Sequence, residues 1–249
     1  MKLKDYIEKA KKEKRALGQF NFSNLTALKG IIQAAQSQKS PLILGTSEKA
    51  SRKIGLAKAV SLARECRRKT GLPIFLNLDH GKSFVYIKKA IDAGYDAVQF
   101  DGSGLSLEEN IKETKKVVEY AGKFNVFVEG EVGVIGGKMT SPKDASKFVQ
   151  TTRVGSLAVA IGNVHGINKK GINPLLNLKR LKEIKDKVGQ VPLVLHGGSG
   201  TAHSDIKKAI KLGVAKVNIS TEIKQAKTSA KIQEVVENKI KLFNSANKK

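Results

Sequence analysis

Apolar and polar positions follow two rhythms that alternate along the whole chain. Short β-rich apolar runs fall at about Ala16–Phe22, Pro41–Gly45, Ile74–Leu78, Ala97–Phe100, Val126–Glu131, Leu157–Ala160, Val191–Leu195 and Lys216–Ile219. Between them apolar residues recur every three or four positions, as at Leu25–Ser37, Leu56–Lys69 and Ser106–Gly122, the spacing of one helical face. Several helical stretches open on capping residues: Ser106 precedes Glu108 and Glu109, and Ser204 precedes Asp205. Eight apolar strands, each followed by a helix, predict an α/β fold, a closed parallel (β/α)8 TIM barrel. The rival is a doubly wound open sheet, which places a G-x-G-x-x-G turn after its first strand; here the chain reads GQFNFSN. Without an internal boundary, repeat or low-complexity segment, residues 1–249 read as a single-domain barrel with a short helical tail after about residue 222.

Length supports this reading, since 249 residues match the ~250 of one such barrel. Charge narrows the partners. The formal net charge is +24, but the lysines are scattered over nearly every helical stretch and aromatic residues make up only 5% of the chain. No basic tract interleaved with aromatics is present, so a nucleic-acid role is not expected; the excess reads as a solvated surface whose field favours anions in general. Cys66, the only cysteine, lies in a helical stretch, which rules out an intrachain disulfide and a thiolate metal cluster. The opening MKLKDYIEKAKKEKR lacks the apolar core of a secretory signal, and no apolar run approaches the ~18 residues of a membrane span. A cytoplasmic protein without a membrane partner is expected.

Chemistry in such barrels gathers at the C-terminal ends of the strands. Polar residues collect there in this sequence. Asn21 follows the first strand and Ser47 the second; the third ends in Asn77-Leu78-Asp79-His80-Gly81 and the fourth in Asp101-Gly102-Ser103. The fifth carries Glu129 and Glu131, the sixth runs into His165-Gly166, the seventh into His196-Gly197-Gly198-Ser199-Gly200, and the eighth ends in Asn218-Ile219-Ser220-Thr221. Three of the four histidines thus sit at the mouth, on separate strands that converge only if the barrel closes. Neutral imidazoles in threes, with an open position left over, are a usual ligand set for catalytic zinc. His203 lies in a polar loop and reads as solvated. The glycine-rich turns after the seventh and eighth strands fall where barrels of this type bind phosphate. Asp79 adjoins His80, so on a regular strand the two side chains point to opposite faces; as an isolated feature it fits a general acid/base, a carboxylate holding a histidine tautomer, or a helix cap.

These residues resemble those of the class II, metal-dependent fructose-bisphosphate aldolases and their tagatose-bisphosphate relatives. The matching stretches are GQFNFSNLTALKGIIQAAQSQKSPLILGTSEKA, LNLDHGKSF, VQFDGSGLSLEENI, VEGEVGVIGG, LAVAIGNVHGINKKG, PLVLHGGSG and GVAKVNIST, in family order over about residues 17 to 225. The resemblance implies that His80, His165 and His196 hold a catalytic zinc ion. It makes Asp79 the acid/base at the C4 hydroxyl of a ketose 1,6-bisphosphate, which is cleaved reversibly to dihydroxyacetone phosphate and an aldehyde. Gly166, Gly197, Ser199, Asn218, Ser220 and Thr221 are then the cradle for the dihydroxyacetone-phosphate end, with Asn21, Ser47 and Lys169 as further substrate contacts. Asp101 and Glu131 stand where the family has carboxylates near an alternate, inward metal position, and a monovalent cation accompanies the zinc in this picture. Family members commonly form homodimers or homotetramers. Aldolases that instead form a Schiff base need a strand lysine; the only one, Lys216, falls at the start of the eighth strand, the wrong end for chemistry.

The sequence departs from the family pattern in three places. No acid occurs between Glu131 and Asp144, where the family carries a mobile loop with glutamates. After the eighth strand there is one helical stretch, Glu222–Phe243, and no arginine follows Arg180, whereas the family uses an arginine-bearing segment at the far phosphate. Asn168 replaces an aromatic residue in His165-Gly166-Ile167-Asn168-Lys169. These changes favour, as the alternative, an aldolase with tagatose bisphosphate or a different aldehyde partner. A non-catalytic barrel that binds a phosphometabolite or nucleic acid is the alternative of another class.

Overall fold

The computed structural model describes residues 2–168 and 173–248. Eight parallel strands close into a barrel in sequence order, the last pairing with the first. They are β1 (Leu17–Asn21), β2 (Leu42–Ser47), β3 (Ile74–Gly81), β4 (Ala97–Phe100), β5 (Phe127–Val132), β6 (Ser156–Val159), β7 (Leu193–Leu195) and β8 (Val214–Ile219). The helices before β3 are α1 (Leu3–Lys12), α2 (Leu25–Ser37), α3 (Glu48–Ile54) and α4 (Leu56–Thr70); α5 (Phe84–Ala93), α6 (Leu107–Gly122) and α7 (Pro142–Thr152) follow β3, β4 and β5. The chain continues with α8 (Leu178–Val188), α9 (His203–Lys211), α10 (Thr221–Ala226) and α11 (Ser229–Leu242). Among the described residues, no helix is long and apolar enough to cross a membrane.

Two apolar layers build this frame. Outward-facing strand residues such as Phe20, Leu44, Leu76, Val98 and Val128 pack against the helices in one large buried cluster. The inward residues at the strand N-termini, Leu17, Ile43, Phe75, Ala97 and Ala215, pack instead on Leu3, Ile7 and Ala10 of α1. That helix closes the barrel floor. Burial of its large apolar side chains contributes about 1.5–3 kcal/mol each.

Four local expectations need correction. Helix α9 begins at His203, not after Ser204, and Ala202 precedes it without a side-chain cap; Asp205 is instead buried and accepts from Leu176 N–H at 2.9 Å. His203 is nonetheless exposed. The stretch after β8 is two helices, broken where Lys227 takes a left-handed φ of 59°. Strand β7 starts only at Leu193, after Pro192, which has no N–H to give a ladder. Lys216 is the third residue of β8 and buried inside the barrel, so it is not at the wrong end for the site.

The caps predicted at α6 are present in full: the Ser106 hydroxyl accepts from Glu109 N–H while the Glu109 carboxylate accepts from Ser106 N–H. The loop between β5 and α7 is a compact turn. Gly137 N–H donates to Val134 O at 2.8 Å, Val134 N–H to Lys138 O at 2.8 Å, and the Thr140 hydroxyl bridges Val132 O and Ala160 N–H.

Candidate metal centre and active-site cleft

Above the apolar floor the barrel interior is polar, because alternate strand residues bring Gln19, Asn77, Gln99, Glu129, Lys216 and Asn218 inside, all buried. Buried polar groups are costly unless bonded to one another. Here they form chains that end at the strand tips. Asn77 Nδ2 donates to Gln19 Oε1 (2.8 Å), and Gln19 Nε2 donates to Asp79 Oδ1 (2.9 Å). Asn218 Nδ2 also donates to Asp79 Oδ1 (3.0 Å), and Asn21 Nδ2 to Oδ2 (2.6 Å). Gly45 makes this grip sterically feasible: a Cβ there would stand 1.9 Å from Asn21 Oδ1 and 2.8 Å from Gln19 Nε2.

The alternation that should send Asp79 and His80 to opposite faces is broken by the backbone. His80 has φ +53°, a left-handed conformation that costs a non-glycine residue about 1–3 kcal/mol. It is held by the Gln99 side chain, whose Oε1 accepts from His80 N–H at 2.9 Å. As a result Asp79 and His80 line the same cleft, of about 660 Å³, together with His165 and His196.

His80 Nδ1 lies 2.8 Å from Asp101 Oδ2, and His196 Nε2 lies 2.8 Å from Glu129 Oε1. With those nitrogens carrying the protons, the remaining lone pairs, on His80 Nε2 and His196 Nδ1, face each other 3.1 Å apart. Two lone pairs pointed at one another repel unless a cation stands between them, either a proton on His80 Nε2 that donates to His196 Nδ1 or a metal ion that takes its place. This donor set therefore fits a divalent metal ion, each ligand backed by a carboxylate that fixes its tautomer. Donor atoms of Asp79, His80 and His196 lie within 4.8 Å of one another, and so do those of His80, Asp101 and Glu131. His165 is not in either group. Its ring centroid is 5.0 Å from that of His80 and 6.3 Å from that of His196, on the exposed side of the cleft.

Electrostatics follow from this crowding. Against the lowering effect of burial, the charge of Asp79 and the hydrogen bond to Asp101 raise His80 to about 9. Desolvation, with His80 and His196 behind it, lowers His165 to about 4, and burial likewise lowers His196, so both stand neutral as ligands require. Burial alone would raise Asp79, but His80, His196, Lys216 and the Asn21 bond hold it well below the usual carboxylate range. Burial and the neighbouring Asp101 push Glu131 up to about 8; Gln99 Nε2 donates to it at 2.7 Å. Glu129 is held low by Lys216, whose Nζ lies 2.6 Å from its Oε2, and by His196, although burial opposes this.

The other sequence-derived residues distribute as follows. Asn21, Ser47, Gly166, Gly197, Ser199, Asn218, Ser220 and Thr221 all line the cleft, as does Asp101; Glu131 lies behind His80 and does not. Gly197, at φ +67°, approaches the β6 loop so closely that a Cβ would meet Val164 O at 2.1 Å. Lys169 lies outside the described residues. No residue of the turn between 133 and 140 lines the cleft. Sequence reasoning missed Gln19, Gln99, Lys216 and the supporting role of Glu129, together with Asn163, whose side chain donates to His196 O at 3.0 Å. It also missed Lys49, Lys53, Lys82 and Lys224 on the cleft wall.

Comparison with known proteins agrees with this geometry. The family model described as "Fructose-bisphosphate aldolase class-II" matches residues 1–248. A probable fructose-bisphosphate aldolase of Bacillus subtilis (strain 168) is 42% identical over 233 residues, covering 88% of this chain and 80% of that protein. The fructose-bisphosphate aldolase of Geobacillus stearothermophilus is 39% identical over 241 residues, 92% of this chain and 83% of that protein. Among solved structures, the YdjI aldolase from Escherichia coli K12 superposes with a TM-score of 0.89 at 32% identity, over 99% of this chain and 98% of that one. With imidazole nitrogens converging from two strands beside a buried carboxylate, on a closed barrel with this sequence likeness, the chain belongs to the class II fructose-bisphosphate aldolase family.

Proposed function

We propose that the chain is a zinc-dependent aldolase that reversibly cleaves fructose 1,6-bisphosphate to dihydroxyacetone phosphate and glyceraldehyde 3-phosphate. The observation that carries this reading is the pair of facing imidazole nitrogens, His80 Nε2 and His196 Nδ1, next to Asp79 in the cleft. His80, His165 and His196 would hold the ion, His165 from the open side. When bound, zinc supplies Lewis-acid stabilisation of the negative charge that grows on the carbonyl half during cleavage. Asp79, kept ionised by its three amide donors, takes the C4 hydroxyl proton; C4 becomes the aldehyde carbonyl, and the C3–C4 electron pair stays with the three-carbon phosphate half. Gly166, Gly197, Ser199, Asn218, Ser220 and Thr221 cradle that half's phosphate, while Asn21 and Ser47, at the ends of β1 and β2, contact the sugar. Lys216 is no Schiff-base candidate, since its ammonium is bonded to Glu129 beneath the histidines.

A coupled assay for dihydroxyacetone phosphate release from fructose 1,6-bisphosphate, with and without chelator, tests the reading. Chelator-sensitive release is expected; cleavage that survives full metal removal contradicts it.

A further inference from the structure

Among the described residues no arginine lines the cleft, so a second phosphate on the substrate needs another cation. Lys49 and Lys53 line it, four residues apart on α3 and hence on one helical face. The intervening Arg52 faces elsewhere, paired with Glu48 at 2.7 Å and stacked over Tyr86. Neither Lys49 nor Lys53 has an ion pair among the described residues. Lys82, by contrast, is committed to Asp101 at 2.6 Å, and Lys224 lies on α10, directly after the β8 end that holds Ser220 and Thr221. Among the described residues the only carboxylates on the wall, Asp79 and Asp101, are fully engaged by amides, His80, Lys82 and Ser103. Counting lysines and carboxylates among the described residues, the wall carries four positive and two negative groups, before any metal ion. A bisphosphate brings about −1.5 to −2 per phosphate at neutral pH, which matches that surplus plus a divalent cation.

We infer that Lys49 and Lys53 form the subsite for the phosphate on the aldehyde half of the substrate, from within this chain. The inference rests on the proposed aldolase reading for its substrate class. Ser47, which caps α3, stands at the inner edge of the subsite, and the lysine pair at the outer edge. Each charge-assisted contact is worth about tenfold in affinity, so the pair gives on the order of 100-fold.

The test uses two ligands that lack a carbonyl and cannot be cleaved, mannitol 1,6-bisphosphate and mannitol 1-phosphate, titrated calorimetrically onto the zinc-loaded full chain. The bisphosphate is expected to bind about 100-fold more tightly, and the preference should shrink as salt screens the exposed lysines. In the double variant Lys49→Met/Lys53→Met the ratio should collapse toward one; in Lys49→Arg/Lys53→Arg it should persist. Both positions are exposed, and a melting temperature equal to the parent's confirms folding. Equal binding of the two ligands by the parent, or an undiminished ratio in the methionine variant, overturns the subsite. A preserved ratio without fructose 1,6-bisphosphate cleavage would refute the aldolase reading while supporting the subsite.

Discussion

Replacing Lys216 by methionine removes the ammonium 2.6 Å from Glu129 Oε2 and leaves a fully buried carboxylate with His196 and a distant Ser156 hydroxyl at 3.4 Å. Were Glu129 to stay ionised, breaking the pair would cost about 3–5 kcal/mol. At 2–4 °C per kcal/mol for a chain of this size, the melting temperature would fall by roughly 6–20 °C. The carboxyl escapes part of this by taking a proton, since burial raises it once the lysine is gone. A protonated Glu129 donates to His196 Nε2 instead of accepting, which moves the ring proton to Nδ1, the nitrogen that faces His80. Metal affinity should then drop about 10–100-fold. The pH dependence follows with sign. In the parent, a lowered Glu129 stabilises fully at neutral pH and loses its contribution only as pH falls through its lowered value. In the variant, a raised Glu129 makes stability decline as pH rises from the ordinary carboxylate value through its raised one. Competition with a chromogenic zinc chelator at about pH 7.5, alongside thermal melts, reads both effects. Adding Glu129→Gln should recover much of each, because the amide oxygen again accepts from Nε2–H. A folded Lys216→Met protein with zinc affinity within about twofold of the parent would refute this reasoning.

Asp79→Ala should abolish cleavage, read by the coupled assay, while retaining zinc by elemental analysis; loss of zinc would reassign Asp79 to the metal. Gly45→Ala drives a methyl into Asn21 and Gln19, so the turnover number should fall at least tenfold with a stability loss of about 1–3 kcal/mol by thermal denaturation. Because His80 is raised to about 9 in the metal-free protein, zinc must displace its proton; apparent zinc affinity should fall about tenfold per pH unit between about pH 8 and about pH 6, by chelator competition.

The barrel was legible because each strand is a short apolar run and each helix keeps its own period. The boundaries that shifted did so for local reasons: Pro192 delays β7, Lys227 splits the final helical stretch, and Asp205 serves Leu176 N–H instead of capping α9. Reading polar residues as strand-end features put Asp79, His80, His165 and His196 at the barrel mouth, where they line the cleft, but missed what holds them. Gln19, Gln99, Glu129 and Lys216 lie within the strands, each on the inward side. Their signal was a polar residue at every second position inside otherwise apolar runs, as in Glu129-Gly130-Glu131 and Lys216-Val217-Asn218. The left-handed His80 left only a weak trace: histidine is merely somewhat enriched at positive φ, and the bond that holds the conformation comes from Gln99, a neighbour distant in sequence. Arg52 and Lys53 look alike as sequence, and only the helix phase and Tyr86 show which one faces the cleft.

Cleavage of fructose 1,6-bisphosphate during zinc titration of chelator-stripped protein tests the central claim most directly. Activity should be absent without metal, rise linearly with added zinc, and stop rising at about one ion per chain, as one site formed by His80, His165 and His196 requires. Cleavage that persists in the stripped protein, or that does not depend on zinc, would contradict the account.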